Sequence, residues 1–267
     1  MKKNIAICGI VRNCEIYLSK IFNNIENLKK ELRKNFNVYS VFVYDNCTDN
    51  SEVLLKKYKN KSKNVIIKNI ENNSELRCVR IANARNTVLE IINSELTNIE
   101  FHIMFDTDDR NIYQWNYNLI KKYLNNFDND NWDSISFNCK DYYDAWALLF
   151  DNFRFHCWGF NNKSRIVGRL MIKSILLKLQ HSKTNSVEVM SAFNGFAIYK
   201  TKRFKNFKYD GLFKNYKTLL NDNDIKSTVD FLNTNYNLNI NLSQVLLNKK
   251  PPGESWLKQG EIVDHFY

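Results

Sequence analysis

With 267 residues, 44% of them apolar and 14% aromatic, the chain has ample material for a buried core and is not a disordered segment. Its formal net charge of +11 suits an anionic partner (nucleic acid, acidic lipid or a phosphorylated small molecule), although the lysines are spread along the chain rather than gathered in one arm. Six cysteines without C-x-x-C spacing argue against a zinc site or a dithiol redox motif, and no apolar run approaches the roughly 18–20 residues that span a bilayer.

Met1-Lys2-Lys3 leads straight into a strand without a cleavage-site pattern, so a cytoplasmic protein with reduced thiols is expected. Asn4 to Gly9 reads as a short buried strand. Leu18, Ile21, Phe22, Ile25, Leu28 and Leu32 then recur at helical spacing. Tyr39 to Tyr44 is a second strand, closed by Asp45-Asn46, and Asp49 or Ser51 can cap a helix carrying Val53, Leu54, Leu55 and Tyr58. Val65 to Lys68 is a third strand, Leu76 to Ile92 a helix, and Ile99 to Phe105 a fourth strand. This β-α-β-α-β-α-β order predicts an α/β fold, with a mostly parallel sheet, helices on both faces and right-handed crossovers.

Beyond it the pattern loosens. Trp115, Leu119, Ile120, Tyr123 and Leu124 read as a helix and Ser134 to Cys139 as a strand. Arg165 to Lys178 is a basic amphipathic helix, in which Arg165, Arg169 and Lys173 oppose Ile166, Leu170 and Leu177. Such a helix can rest on an anionic membrane surface or pack on a core. Glu188 to Lys200 reads as a strand pair around Asn194-Gly195, Thr228 to Leu232 as helical, and Leu238 to Leu242 as an edge strand. No repeat or linker is evident, so one domain over 1–267 is expected, with two functional halves, 1–110 and 111–267.

The chemistry concentrates where strands end. Asp106-Thr107-Asp108-Asp109 follows the fourth strand directly and clusters hard oxygen ligands at the carboxyl edge of the sheet, where open α/β folds bind ligands. Such carboxylates suit Mg²⁺ or Mn²⁺ bridging protein and diphosphate; the alternative is an acidic turn. Gly9-Ile10-Val11-Arg12-Asn13 turns at the same edge, and it lacks the glycine patterns of dinucleotide folds and P-loops. Asp45-Asn46 can read a base edge or ribose hydroxyl. Arg85 carries a planar fork that matches diphosphate oxygens.

Cys8-Gly9-Ile10-Val11-Arg12-Asn13, Asp45-Asn46-Cys47-Thr48-Asp49-Asn50-Ser51, Ala84-Arg85-Asn86 and Asp106-Thr107-Asp108-Asp109, in that order, resemble nucleotide-sugar glycosyltransferases of the GT-A fold. The likeness is to family 2-like enzymes and capsule-associated (Cap59-like) mannosyltransferases, and covers about residues 4–110. It implies a metal-dependent transfer of sugar from a nucleoside-diphosphate sugar to a glycan, lipid-linked or protein acceptor, with no specific nucleic acid partner. It further implies that Gly9, Val11, Arg12, Asp45, Asn46, Arg85 and Asp106 line the nucleotide, and that Asp106 and Asp108 hold Mn²⁺ or Mg²⁺ with a late histidine, His265. Asp109 would support the metal ligands from behind or bond a sugar hydroxyl, and residues 1–110 would form the nucleotide-binding half and 111–267 the acceptor-binding half.

The general base of an inverting enzyme should come from the second half. Lys226-Ser227-Thr228-Val229-Asp230 occupies the expected slot only in part, and Asp222 and Asp224 have similar claims beside Asp230. Asp144, among Tyr142, Tyr143 and Trp146, sits where aromatic faces can stack on a sugar ring or simply pack a core. Rival expectations are a nucleotidyltransferase acting on a sugar phosphate and a non-catalytic basic module for nucleic acid or acidic glycan.

Overall fold

The computed structural model describes residues 2–125, 132–138, 143–144, 147–148, 169, 172–173, 176–177, 179–183, 186–189, 191–211, 226, 230 and 233–234. A first compact unit comprises Met1–Ser74, Arg80–Phe137 and Gly195–Tyr209, and a second comprises Glu75–Val79, Asn138–Asn194 and Asp210–Tyr267.

The first unit is built on a six-stranded sheet. Its elements are β1 (Lys3–Val11), α1 (Glu15–Leu32), β2 (Phe36–Asp45), α2 (Ser51–Lys61), β3 (Val65–Ile70), α3 (Arg77–Ser94), β4 (Ile99–Asp106), α4 (Tyr117–Asn125), β5 (Ser134–Ser136) and β6 (Phe196–Lys200). The strand order is β3-β2-β1-β4-β6-β5. β3, β2, β1 and β4 run parallel, and β6 enters antiparallel between β4 and β5. The expected mostly parallel α/β sheet is therefore present. Both edges of β6 are taken by β4 and β5, so no hairpin partner across Asn194-Gly195 is seen among the described residues. β5 and β6 come from the half expected to bind acceptor, and they complete this sheet.

Alternation fixes the two faces. Ile5, Ile7, Val11, Phe42, Tyr44, Phe101, Ile103, Phe105 and Ile198 join one buried cluster with the apolar stripe of α1 (Leu18, Ile21, Ile25, Leu28, Leu32) and with Leu55, Tyr58, Ile120 and Leu124. The opposite face, with Ala6, Cys8, Val41, Val43, Met104 and Ala197, is equally buried. The right-handed return from β3 to β4 carries α3 to that side. Of the apolar residues in α2, Val53 is exposed, and Ser51, Leu55 and Tyr58 form the buried stripe of that helix.

With only 7 glycines, the chain turns on asparagine. Asn13, Asn46, Asn64, Asn98 and Asn194 are the non-glycine residues with positive φ among those described. Asparagine tolerates the left-handed region because its short polar side chain bonds locally. Each of these five turns lies beside a strand end: Asn13 and Asn46 follow β1 and β2, and Asn64, Asn98 and Asn194 precede β3, β4 and β6.

Covering both faces buries His102, although Glu100, two residues before it on the same strand face, is exposed. Its Nδ1 lies 3.1 Å from Thr201 Oγ1 and its ring stacks on Tyr199 at 4.9 Å. Burial pushes its pKa down to about 3. The unfolded chain therefore takes up a proton near pH 6.5 that the folded protein refuses until about pH 3. Stability from this group is full above pH 6.5 and falls as the solution is acidified, by about 1.4 kcal/mol per pH unit. Chemical denaturation at pH 6.5 and pH 5 should show wild type losing about 2 kcal/mol more than His102→Gln.

In the second unit, the described helical residues from 169 to 177 fall within the expected basic helix (165–178), and 179–181 are helical beyond its expected end. Arg169 and Lys173 are exposed, and so is Leu177, which its spacing had placed on the apolar side. Asn194 Oδ1 accepts the backbone N–H groups of Tyr143 (3.1 Å) and Asp144 (3.4 Å). The expected strand Leu238–Leu242 lies outside the described residues.

Candidate functional site

The chain moves outward from β1 through β2 to β3, then returns past β1 to β4. The switch point, where ligands bind in open α/β sheets, is therefore the carboxyl end between β1 and β4. Register brings the expected residues there: Val11 pairs with Tyr44, so Arg12 continues beside Asp45, and Ile10 pairs with Asp106.

The β1 and β2 loops are tied together by helix-end bonds. Asp49 Oδ2 accepts Glu15 N at 3.0 Å and Ser51 Oγ accepts Cys14 N at 2.8 Å, which satisfies the start of α1. In return Glu15 Oε2 accepts Asn50 N at 3.0 Å, at the start of α2. Asn13 Oδ1 accepts Thr48 N at 2.7 Å. Much of the Asp45-to-Ser51 element thus serves to lock two loops against each other. Within that frame Arg12 Nη1 meets Asp45 Oδ2 at 3.3 Å, with Arg12 partly exposed and Asp45 buried. Burial pushes the Asp45 carboxyl above its ordinary value, while Arg12 and Arg80 pull it back. Asn46 Nδ2 donates to the Asn72 carbonyl at 3.2 Å, tethering the loop after β3.

On the other side of the switch point, Arg85 Nη2 reaches Asp106 Oδ1 at 3.3 Å. The guanidinium is buried, and its carbon lies 5.4 Å from the Tyr209 ring centre. Asn86 sets that ring by exchanging two bonds with the Tyr209 backbone, at 2.9 and 2.7 Å. Asp108 Oδ1 accepts Arg110 N at 3.0 Å and so caps the short turn Asp109–Asn111. Burial raises the Asp108 carboxyl, against the bond from Arg110, and the charge of Asp109 adds to the rise. Between the two carboxylates, Thr107 Oγ1 donates to the Ile10 carbonyl at 2.6 Å and lies 3.2 Å from Cys14 Sγ, stitching β4 to β1.

Gly9 lies inside β1 beneath this stitch. A Cβ there would stand 2.9 Å from Thr107 Cγ2, 3.0 Å from Phe105 Cζ and 3.1 Å from Phe42 Cε1. Its missing side chain is thus a packing requirement of the switch point, and Val11, equally buried, belongs to the core. Gly9→Ala should cost about 1–3 kcal/mol by overpacking, measurable in thermal or urea melts.

The donor set fits a hard divalent cation. Asp106 and Asp108 are hard carboxylate-oxygen donors two residues apart on the turn after β4. Among the described residues no group of three or more His, Cys, Asp or Glu could hold an ion. Two carboxylates completed by substrate phosphate oxygens and water are the usual coordination of Mg²⁺.

Of the residues expected to act as base, Asp230 is helical and exposed. Asp144 is buried, and its Oδ1 accepts Ala147 N at 3.2 Å, so its carboxylate caps a turn. Asp222, Asp224, Tyr142, Trp146, Asp264 and His265 lie outside the described residues. Two site-supporting residues went unread in the sequence: Asn24, whose polar side chain sits between Ile21 and Ile25 in the apolar stripe of α1, and Asn111. The signal for Asn24 was that polar interruption; Asn111 gave none.

No family model and no curated protein sequence matches this chain. Similar solved structures are nucleotide-sugar glycosyltransferases. They include Staphylococcus aureus TarS in complex with UDP (18% identity, 79% of this chain and 50% of that chain, TM-score 0.44). The Pyrobaculum calidifontis mannosyltransferase PcManGT with GDP-Man and Mn²⁺ is similar over 79% of this chain and 48% of that chain, at 11% identity and TM-score 0.47. The Saccharomyces cerevisiae mannosyltransferase Ktr4p follows at 13% identity, 76% and 57% coverage and TM-score 0.34. The chain spans about half the length of the first two. At these scores the likeness carries no functional inference, which must come from the residues.

Proposed function

We propose that this chain is a metal-dependent glycosyltransferase that moves a sugar from a nucleoside-diphosphate sugar to a hydroxyl acceptor on a glycan, lipid or protein. The observation that supports it best is the placement of the Arg85–Asp106 and Arg12–Asp45 pairs along one edge of the sheet, on either side of its switch point, with Asp108 two residues beyond Asp106. Asp45 is the buried acceptor that orients the nucleoside, with Arg12 as its partly exposed partner. Asp106 and Asp108 hold the cation, which when bound neutralises charge on the departing diphosphate. Arg85 acts through Asp106: it fixes that carboxylate's direction. Asp230 is the candidate general base, with Asp224 its neighbour in sequence, and His265 a candidate further ligand.

Thermal melts with UDP- and GDP-sugars, with Mn²⁺ and with a chelator, test this. The expected result is stabilisation by one nucleotide class that requires the metal. Stabilisation indifferent to metal, or binding of polyanions alone that salt abolishes steeply, would overturn it.

A further inference from the structure

The two buried asparagines missing from the sequence reading form a continuous chain of bonds behind the carboxylate turn. Tyr117 Oη donates to Asn24 Oδ1 at 2.9 Å. Asn24 Nδ2 donates to the carbonyl oxygens of Asn111 (2.9 Å) and Tyr113 (2.6 Å). Asn111 Nδ2 donates to the carbonyls of Asp106 (2.8 Å) and Gly195 (3.0 Å). Gly195, at φ 81°, also receives the Asp106 N–H at 2.9 Å. Asn24 and Asn111 are only 3% and 4% exposed.

A buried amide costs free energy unless its groups are bonded, and apolar residues would fill the interior of α1 more cheaply. What these two amides do is hold backbone. The Asp106 carbonyl belongs to the peptide that leads into Thr107 and Asp108, so fixing it fixes the direction in which both carboxylates leave the turn. The bond from Asn24 adds a second constraint, because α1 begins at the β1 loop already locked to α2. We infer that Asn24 and Asn111 are positioning residues for the cation pair: they couple the β1 and β4 sides of the switch point, so that Asp106 and Asp108 are presented in fixed register. This rests on the reading of those two aspartates as metal-holding.

Residues that orient metal-binding groups without touching the ion typically change its affinity by roughly 10- to 100-fold. The test compares wild type, Asn111→Ala, Asn24→Ala and Leu28→Ala; Leu28 lies one turn beyond Asn24 on the same helix and is fully buried in the core. Mn²⁺ affinity is read by electron paramagnetic resonance in the presence of UDP and of GDP, and amide exchange is followed at Thr107 to Asn111. Both asparagine variants should lose at least about tenfold in Mn²⁺ affinity and exchange faster at that turn. Leu28→Ala should melt earlier yet bind Mn²⁺ as wild type does. Unchanged affinity in both asparagine variants, or an equal loss in Leu28→Ala, overturns the positioning role while leaving the functional reading intact. Wild type that binds no Mn²⁺ with either nucleotide overturns both. Should Asn111→Ala not fold, Asn24→Ala decides by the same criteria.

Discussion

Asp108→Asn should abolish most of the metal-dependent stabilisation by a nucleoside diphosphate and, at the same time, make the ligand-free protein more stable. The two effects have one cause. Burial and the neighbouring Asp109 raise the Asp108 carboxyl, so at neutral pH its charge is held at a cost to the fold. Asparagine removes that charge and keeps the Oδ1 that accepts Arg110 N at 3.0 Å. A ligand at a hundredfold excess over its dissociation constant stabilises by about 2.7 kcal/mol, and this increment should fall close to zero in the variant. Because a proton competes with the cation at a carboxyl of raised pKa, the wild-type increment should also fade on acidification earlier than for an ordinary aspartate. Melts of both proteins, with and without Mn²⁺ and UDP or GDP, give all three readouts. A variant that keeps its ligand shift, or that is less stable alone, would falsify the assignment of Asp108 to the cation.

The parallel core was legible because its strands and helices are marked by plain periodicity and closed by polar turns. Ile99 to Phe105 before Asp106, and Leu18 to Leu32 at helical spacing, each state their element without help from the rest of the chain. Parallel strands with right-handed crossovers followed from that alternation; the strand order β3-β2-β1-β4 came only with the structure, and it carries Arg12, Asp45, Arg85 and Asp106 to one edge. Antiparallel insertion of β6 between β4 and β5 was not legible, since a strand's partner depends on distant sequence and the Asn194-Gly195 turn suggested a local hairpin instead. The burial of His102 was hidden for a related reason: β4 is a central strand covered on both faces, which the alternation along one strand does not reveal. At the site, sequence identified the charged groups and missed what holds them. Asp49 and Ser51 are acceptors for the start of α1, Asn46 a positive-φ turn residue, and Asn111 a backbone clamp. These roles are geometric, and an asparagine that clamps two carbonyls looks in sequence like any asparagine in a turn.

Arg85→Ala should destabilise the protein by about 3 kcal/mol, the lower end of the range for breaking a buried ion pair, because Asp106 is 29% exposed and water can reach part of its charge. The sequence expectation was an arginine that grips the nucleotide and is dispensable for folding. The side chain instead lies under the turn, 95% shielded, against the Tyr209 ring and bonded to Asp106. Truncation therefore takes a guanidinium away from the Asp106 carboxylate and opens space beside an aromatic ring. A double-mutant cycle separates these costs. Asp106→Ala in the Arg85→Ala background should recover part of the lost stability, since the carboxylate that faced Arg85 is removed with it. Arg85→Lys should fall between wild type and alanine, as it keeps the charge but lacks the planar fork that bonds an oxygen while lying over a ring. If urea melts show the two single substitutions adding without coupling, the pair is incidental, and Arg85 is then free to serve the nucleotide directly. Strong coupling, with nucleotide affinity lost in Arg85→Ala and in Asp106→Ala alike, means that the arginine serves the ligand only by aiming the carboxylate.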